Sequence, residues 1–217
     1  MIVYGRNPVR EAQRGRRRVL RVWSEEDGVD PVELERLCGS PDHQGICAEV
    51  EPYPYADASA LLTADDALVI CLDQVQDPHN LGAVCRVAES AGAAGVVIPE
   101  RRSVEVTPAV CKASAGAVEH LPLARVRNLA DWLGTAKEAE AWVYGAAADA
   151  DTPYDRPDYS GRVVLVLGSE GRGLRARVAD ACDQLIALPQ RGKVGSLNVS
   201  AAAAALVYGI LQSRAAA

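Results

Sequence analysis

No CxxC pair occurs among the six cysteines (Cys38, Cys47, Cys71, Cys85, Cys111, Cys182), and the three histidines (His43, His79, His120) are not spaced as a metal pair. These absences argue against a zinc site. Cysteines set mostly beside Val, Ile, Leu or Ala read as small core residues in a reducing compartment. No uninterrupted apolar run reaches the roughly 18 residues of a membrane span. The N-terminus MIVYGRNPVREAQRGRRR has no apolar stretch between its charges and a cleavage site. The expectation is a cytoplasmic protein with no membrane partner and no metal. Internal repeats and low-complexity tracts are also missing.

What is present fits an ordinary globular chain: 217 residues, 49% hydrophobic and 24% charged, enough for one large domain with at most a small appendage. The net charge of −6 speaks superficially against a nucleic-acid partner. Its distribution speaks for one. Residues 1–21 hold seven arginines (Arg6, Arg10, Arg14, Arg16, Arg17, Arg18, Arg21) against the single acid Glu11, leaving an excess of basic charge at one end of an acidic chain. That end is a candidate phosphate-binding surface; a solvated terminus is the plainer reading.

From residue 67 aliphatic runs alternate with helical stretches. ALVICLD (67–73), GVVIP (95–99), LPLARV (121–126), WVYGAAA (142–148), RVVLVLG (162–168) and QLIALP (184–189) read as strands. Helices are expected at 80–92, 107–116, 128–141, 173–183 and from about 198. This βαβ rhythm calls for a parallel sheet covered by helices on both faces. Before residue 67 the pattern differs: a short helix at GRNPVREAQR, a strand at VLRVWS, a helix at DPVELERLCG and a strand at QGICAEVE, followed by a proline-containing linker. The expected division is a small domain over 1–52, a linker over 53–66 and a large domain over 67–217. A core built from about 52 residues is near the lower limit for independent stability.

Three polar, glycine-containing segments interrupt the aliphatic pattern where strands end, which is where open α/β sheets bind ligands: DQVQDPHNLGAVCR (73–86), GSEGRGL (168–174) and LPQRGKVGSLNVS (188–200). In the first, Asn80 is a possible helix cap, but Arg86, set among Ala83, Val84, Cys85, Val87 and Ala88, calls for a groove or a partner. In the second, Gly168, Gly171 and Gly173 free the backbone for close approach, with Glu170 between them; the spacing is neither GxGxxG nor GxxxxGK[ST]. In the third, Ser196 or Asn198 caps a helix or offers polar groups to a ligand.

In this order and spacing the three segments resemble the motifs of the SpoU (TrmH-type) branch of the SPOUT RNA methyltransferases, the match running over roughly 67–212. The resemblance implies an α/β fold with a deep C-terminal trefoil knot, S-adenosylmethionine as cofactor, and methyl transfer to a ribose 2′-hydroxyl of RNA. It implies a cofactor site at Leu167, Gly168, Glu170, Gly171, Ile186, Leu188, Pro189, Ser196, Leu197 and Asn198, and catalytic or positioning roles for Arg86, Asn80, Glu170, Ser196 and Asn198. A homodimer packed through the first-motif helix and the final helix is implied as well. YGRNPVREA and HQGICAEV (43–50) are similar to the two ends of the family's small α/β substrate-binding domain. About 30 residues separate them here, fewer than is usual, so the domain is either trimmed or lacks residues. Arg6, Arg10, Arg14, Arg16, Arg17, Arg18, His43 and Gln44 are the expected RNA contacts.

An arginine is an awkward general base because its pKa lies above about 12. The preferred role for Arg86 is to hold a neighbouring phosphate and stabilise the incipient alkoxide, with phosphate or water taking the proton. The small N-terminal domain favours a guanosine of 23S rRNA as target. A tRNA target, a non-catalytic RNA-binding or ribosome-assembly factor, and an unrelated nucleotide-dependent α/β enzyme are the alternatives.

Overall fold

A computed structural model describes residues 1–193 and 195–216; Val194 in the third segment and Ala217 at the end of the expected large domain lie outside the described residues. The first 50 residues form a three-stranded antiparallel sheet in which β3 (Ile46–Val50) lies between β1 (Ile2–Tyr4) and β2 (Val19–Ser24). Two helices, α1 (Arg6–Arg14) and α2 (Pro31–Cys38), complete it. The α2 helix starts where the Asp30 carboxylate accepts the Val32 N–H at 2.7 Å with Pro31 in the first turn, and it ends on Gly39 in a left-handed conformation. β1 was not expected from sequence. Three residues are too few to show a period, and the strand exists because Val3 pairs with Ala48.

Residues 68–187 supply seven parallel strands: β4 (Leu68–Asp73), β5 (Gly95–Pro99), β6 (Leu123–Val126), β7 (Trp142–Ala146), β8 (Thr152–Pro153), β9 (Val163–Gly168) and β10 (Gln184–Ala187). Their order is β6-β5-β4-β9-β7-β10-β8. Every residue of β4 and β5 is buried, as expected of strands covered on both faces. Leu68, Ile70 and Leu72 point to one face, packed by α3 (Pro78–Ser90), α4 (Pro108–Ala113) and α7 (Val199–Ala216). Val69 and Cys71 point to the other, packed by α5 (Leu129–Glu138) and α6 (Ala176–Ala181).

Several expected boundaries move for local reasons. The α3 helix begins at Pro78, two residues early, because the Asp77 carboxylate caps it by accepting the His79 N–H at 2.8 Å. Asn80 is therefore free of the capping role. Gly82 lets α3 and α4 meet, since a Cβ there would lie 2.5 Å from the Ala113 Cβ. The two-residue strand β8 contains Pro153 at a sheet edge. The α7 helix corrects the reading of apolar runs. Its 18 residues, with a mean hydropathy of 1.2, are long and apolar enough to cross a membrane by length and composition, although Gln212 and Arg214 break the run in sequence. Val199, Ala203, Leu206, Val207 and Ile210 of α7 are buried, and the helix packs on α3 and β9.

The apolar residues of the N-terminal sheet are not a separate core. Val3, Val9, Ala12, Ala48 and Val50 continue into the cluster on the α3 side of the large sheet. A buried ion pair seals the junction: the Arg17 guanidinium grips the Glu119 carboxylate, both side chains being essentially inaccessible. Burial opposes the Arg17 charge, but the hydrogen bond and charge of Glu119, together with Cys111, outweigh it and hold the guanidinium pKa above the ordinary arginine value. Tyr53 lies beneath the guanidinium, 5.5 Å from ring centroid to Cζ. Four cysteines (Cys47, Cys71, Cys85, Cys111) are buried, and desolvation raises their thiol pKa values.

Candidate active site

The C-terminal ends of β7, β9 and β10 open into a cavity of about 650 Å³, within the usual size range of small-molecule sites. Leu167, Ile186, Leu188, Leu174 and Leu206 give it apolar walls, and its lining carries the carboxylates of Asp149 and Glu170 against the single guanidinium of Arg172. Such a lining suits a ligand with a flat apolar ring and positive charge. Of the expected cofactor residues, Leu167, Gly168, Glu170, Gly171, Ile186, Leu188, Ser196 and Leu197 line it, whereas Pro189 and Asn198 do not. Pro189 is exposed, and Asn198 turns toward a polar cluster at the cavity's edge.

That cluster joins the three segments. Asn80 Nδ2 donates to Glu170 Oε1 at 2.8 Å. Asn198 Nδ2 donates to the same oxygen at 2.6 Å and to Asn80 Oδ1 at 3.0 Å. Asn198 Oδ1 accepts the Ser200 N–H at 2.8 Å, so Asn198 caps α7 and holds Glu170 at once, and the two readings of this residue are compatible. A helix from β4, a loop from β9 and the start of α7 are thus locked around one carboxylate oxygen.

The loop carrying Glu170 is itself fixed in two ways that the sequence did not reveal. First, it turns back tightly: Gly173 N–H donates to Ser169 O at 2.9 Å. A Cβ on Gly168 would lie 2.1 Å from the Gly173 carbonyl carbon. Gly168 is therefore required by its own loop, a second reason for glycine there beside the expected approach of a ligand. Gly171 and Gly173 have φ values of 74° and 66°, which is why glycine stands there. This closure also shortens the expected helix at 173–183 to α6. Second, the Asp73 carboxylate, wholly buried at the end of β4, accepts Arg175 Nε at 2.8 Å, Arg175 Nη2 at 2.6 Å and the Arg175 N–H at 2.9 Å. The only sequence signal for this clamp was a charged residue closing an otherwise aliphatic strand.

Arg86 is not brought to this cluster. It lies six residues beyond Asn80, about 240° around the helix, is exposed, and lines neither the cavity nor the space beyond Asn80. Among the expected RNA contacts, Arg6, Arg10, Arg14, Arg16, Arg18 and Gln44 are exposed. Some are partly paired: Arg10 and Arg14 with Glu11 at 2.8 and 3.7 Å, and Arg18 with Glu51 at 3.8 Å. Two expectations need correction. Arg17 is 5% exposed and committed to Glu119. His43 is 8% exposed, and its Nδ1 accepts the Gly45 N–H at 3.1 Å.

Fold and site define a parallel-sheet α/β enzyme whose ligand enters at the strand ends, beside a carboxylate held by two asparagines. Residues 67–208 match the SpoU rRNA methylase family. YacO of Bacillus subtilis, assigned to the TrmH family of tRNA/rRNA methyltransferases, is 39% identical over 98% of this chain and 95% of its own. An rRNA methyltransferase of Sinorhizobium meliloti with bound S-adenosylmethionine superimposes with a TM-score of 0.86 at 21% identity, over 97% of this chain and 86% of that one. An RNA 2′-O ribose methyltransferase does so with a TM-score of 0.80 at 24% identity, over 99% and 89%. The chain belongs to the SpoU family of RNA methyltransferases, and membership implies the trefoil knot of that fold.

Proposed function

We propose that the protein transfers a methyl group from S-adenosylmethionine to the 2′-hydroxyl of a guanosine in 23S rRNA. The observation that carries this reading is the hydrogen-bonded cluster of Asn80, Glu170 and Asn198, which ties the three motif segments together at the rim of the 650 Å³ cavity. Bound S-adenosylmethionine supplies an electrophilic methyl group on a sulfonium. Leu167, Ile186 and Leu188 would enclose its adenine, and the carboxylates of Glu170 and Asp149 would favour its positive charge. The new O–CH₃ bond forms as the S–CH₃ bond breaks, the sulfonium leaves as a neutral thioether, and the hydroxyl proton passes to phosphate or water. Holding the two reacting groups in line is most of the catalysis.

Arg86 steadies the developing alkoxide through a neighbouring phosphate. Since it faces away from the cluster on its own chain, it acts in a homodimer packed through α3 and α7, where the partner copy presents it. Exposed Arg6, Arg10, Arg14, Arg16, Arg18 and Gln44 dock the RNA. Mass-spectrometric mapping of 2′-O-methyl groups in rRNA and tRNA from cells with and without the gene tests the reading. One methylated guanosine of 23S rRNA disappears on deletion; loss confined to tRNA, or no change in either RNA, refutes it. Arg86→Ala removes activity and leaves cofactor affinity within about threefold, since its contacts are to RNA alone.

A further inference from the structure

A second chamber, of about 360 Å³, lies next to the cofactor cavity, and Ser169, Glu170, Arg172 and Val199 line both. The remaining walls are Gln74, Val75, Gln76, Asp77 and Asn80. Glu170 therefore stands between two cavities, with Asn80 lining the second alone.

Three features of the chamber point to its occupant. Gln74 follows directly on β4 with a φ of 62°, a left-handed conformation that residues other than glycine seldom adopt. Its side-chain amide has no hydrogen-bond partner among the described residues. Strain of this kind persists where surrounding structure imposes it, and it clusters at ligand sites. Gln76 brings a second carboxamide, tethered only by a long 3.4 Å contact from Nε2 to Arg102 O, which leaves its oxygen uncommitted. Arg172 stands at the boundary of both cavities, exposed and without an ion-pair partner among the described residues.

We propose that this chamber takes the target nucleoside with its base turned out of the RNA chain, and that Gln74, Gln76 and Arg172 select guanine. The proposal rests on the methyltransferase reading above and extends it from ribose to base. An arginine fork matches the O6 and N7 acceptors of guanine, and carboxamide oxygens accept from its N1–H and N2–H₂. Adenine would set its N6 amino group against the guanidinium, donor facing donor. RNA-modifying enzymes that act on single nucleotides read such bases through their exposed edges. A nucleoside seated here carries its ribose beside Asn80 and Glu170, where the two cavities meet and the 2′-hydroxyl can face the methyl donor.

The test uses the full-length protein, tritiated S-adenosylmethionine and an unmodified transcript containing the methylated site, made with guanosine, inosine or adenosine at that position. With wild-type protein kcat/KM falls about tenfold for inosine, which lacks the N2 amino group, and about a hundredfold or more for adenosine. Gln74→Gly suits the left-handed backbone better than glutamine does, so the fold stands and only the amide is lost. This variant methylates guanosine about ten- to a hundredfold less efficiently, largely through KM, no longer distinguishes guanosine from inosine, and binds cofactor within twofold of wild type. Arg172→Gln narrows the gap between guanosine and adenosine. Unaltered base preference in both variants overturns the proposal while leaving the proposed function in place; a target other than guanosine overturns the proposal together with the guanosine assignment above. Failure of wild-type protein to methylate any rRNA or tRNA transcript removes both.

Discussion

In β4 and β5 every side chain is buried, whereas in β2 only Ser24 is, and Leu20 stands 45% exposed. The seven-stranded sheet is closed by helices on both faces and stabilised by aliphatic packing. The three-stranded sheet has too little apolar surface of its own, shares the core of its neighbour, and fastens itself by charge: Arg17 to Glu119, Arg16 Nη2 to His120 O at 3.0 Å, and Glu11 to His120 at 3.0 Å. Basic residues near the N-terminus thus serve two purposes. Some face outward toward solvent, and one is turned inward to fix the module that carries the others.

If that division is right, the inward arginine is the most sensitive charge in the chain. Arg17→Ala leaves the Glu119 carboxylate buried without its partner, at a cost of about 3–5 kcal/mol. Replacing both residues by apolar ones of similar size restores most of that stability. Urea denaturation measures both, and a loss below about 1 kcal/mol in the single variant would mean that the junction is apolar after all. The comparable position in the large sheet has no charge. In Gly168→Ala the new methyl group meets the Gly173 backbone, which cannot yield as a flexible side chain would. The expected loss is about 1–3 kcal/mol of stability, with cofactor affinity lowered more than tenfold because the Glu170 loop opens. Calorimetric titration checks the second effect; unchanged affinity would show that the loop refolds without harm.

On the proposed function the outward arginines serve RNA docking and contribute little to the fold. Replacing Arg14 and Arg18 together, with Arg16 and Arg17 left in place, lowers the salt dependence of RNA affinity by roughly 0.7–0.9 log units per lost phosphate contact. Methyl transfer at saturating RNA persists, because the substitutions lie outside the three motif segments. Filter binding at several salt concentrations measures the slope. An unaltered slope would make the N-terminal charge structural throughout and move RNA docking to the large domain.

The same contrast governs what could be read from the chain beforehand. Strands buried on both faces are continuous aliphatic runs, so β4, β5, β7, β9 and β10 stood out, whereas the sequence places the start of α3 at residue 80, two residues late, because Asn80 and not Asp77 reads as the cap. β1 pairs over three residues and β8 over two, and neither leaves a pattern in sequence. Asn80, Glu170 and Asn198 were singled out by their motif segments, but that they share one carboxylate oxygen depends on the fold bringing together residues 90 and 118 positions apart. The Asp73–Arg175 clamp, 102 residues apart, is equally non-local. Arg17 was misread for an instructive reason. Within RGRRR nothing distinguishes the inward arginine from its neighbours, because its partner Glu119 lies in another part of the chain.

The smallest effect tests whether the exposed charges at the junction add anything. The Glu11 pKa is lowered from its ordinary value of 4.5, chiefly by the hydrogen bond to His120 and then by Arg10. A carboxylate with a lowered folded-state pKa contributes stability that is present above the unfolded value and lost as pH falls through the folded one. Between neutrality and about pH 3, the part of the acid destabilisation owed to this group should therefore disappear in Glu11→Gln, flattening the dependence of stability on pH below about 5. At pH 7 the same substitution should cost only about 0.2–1 kcal/mol, since His120 and Arg10 are solvent-accessible. Urea midpoints across that range, compared between wild type and variant, give the difference directly. Parallel curves would assign the whole electrostatic attachment of the N-terminal sheet to Arg17 and Glu119; converging curves at low pH would give Glu11 a share of it.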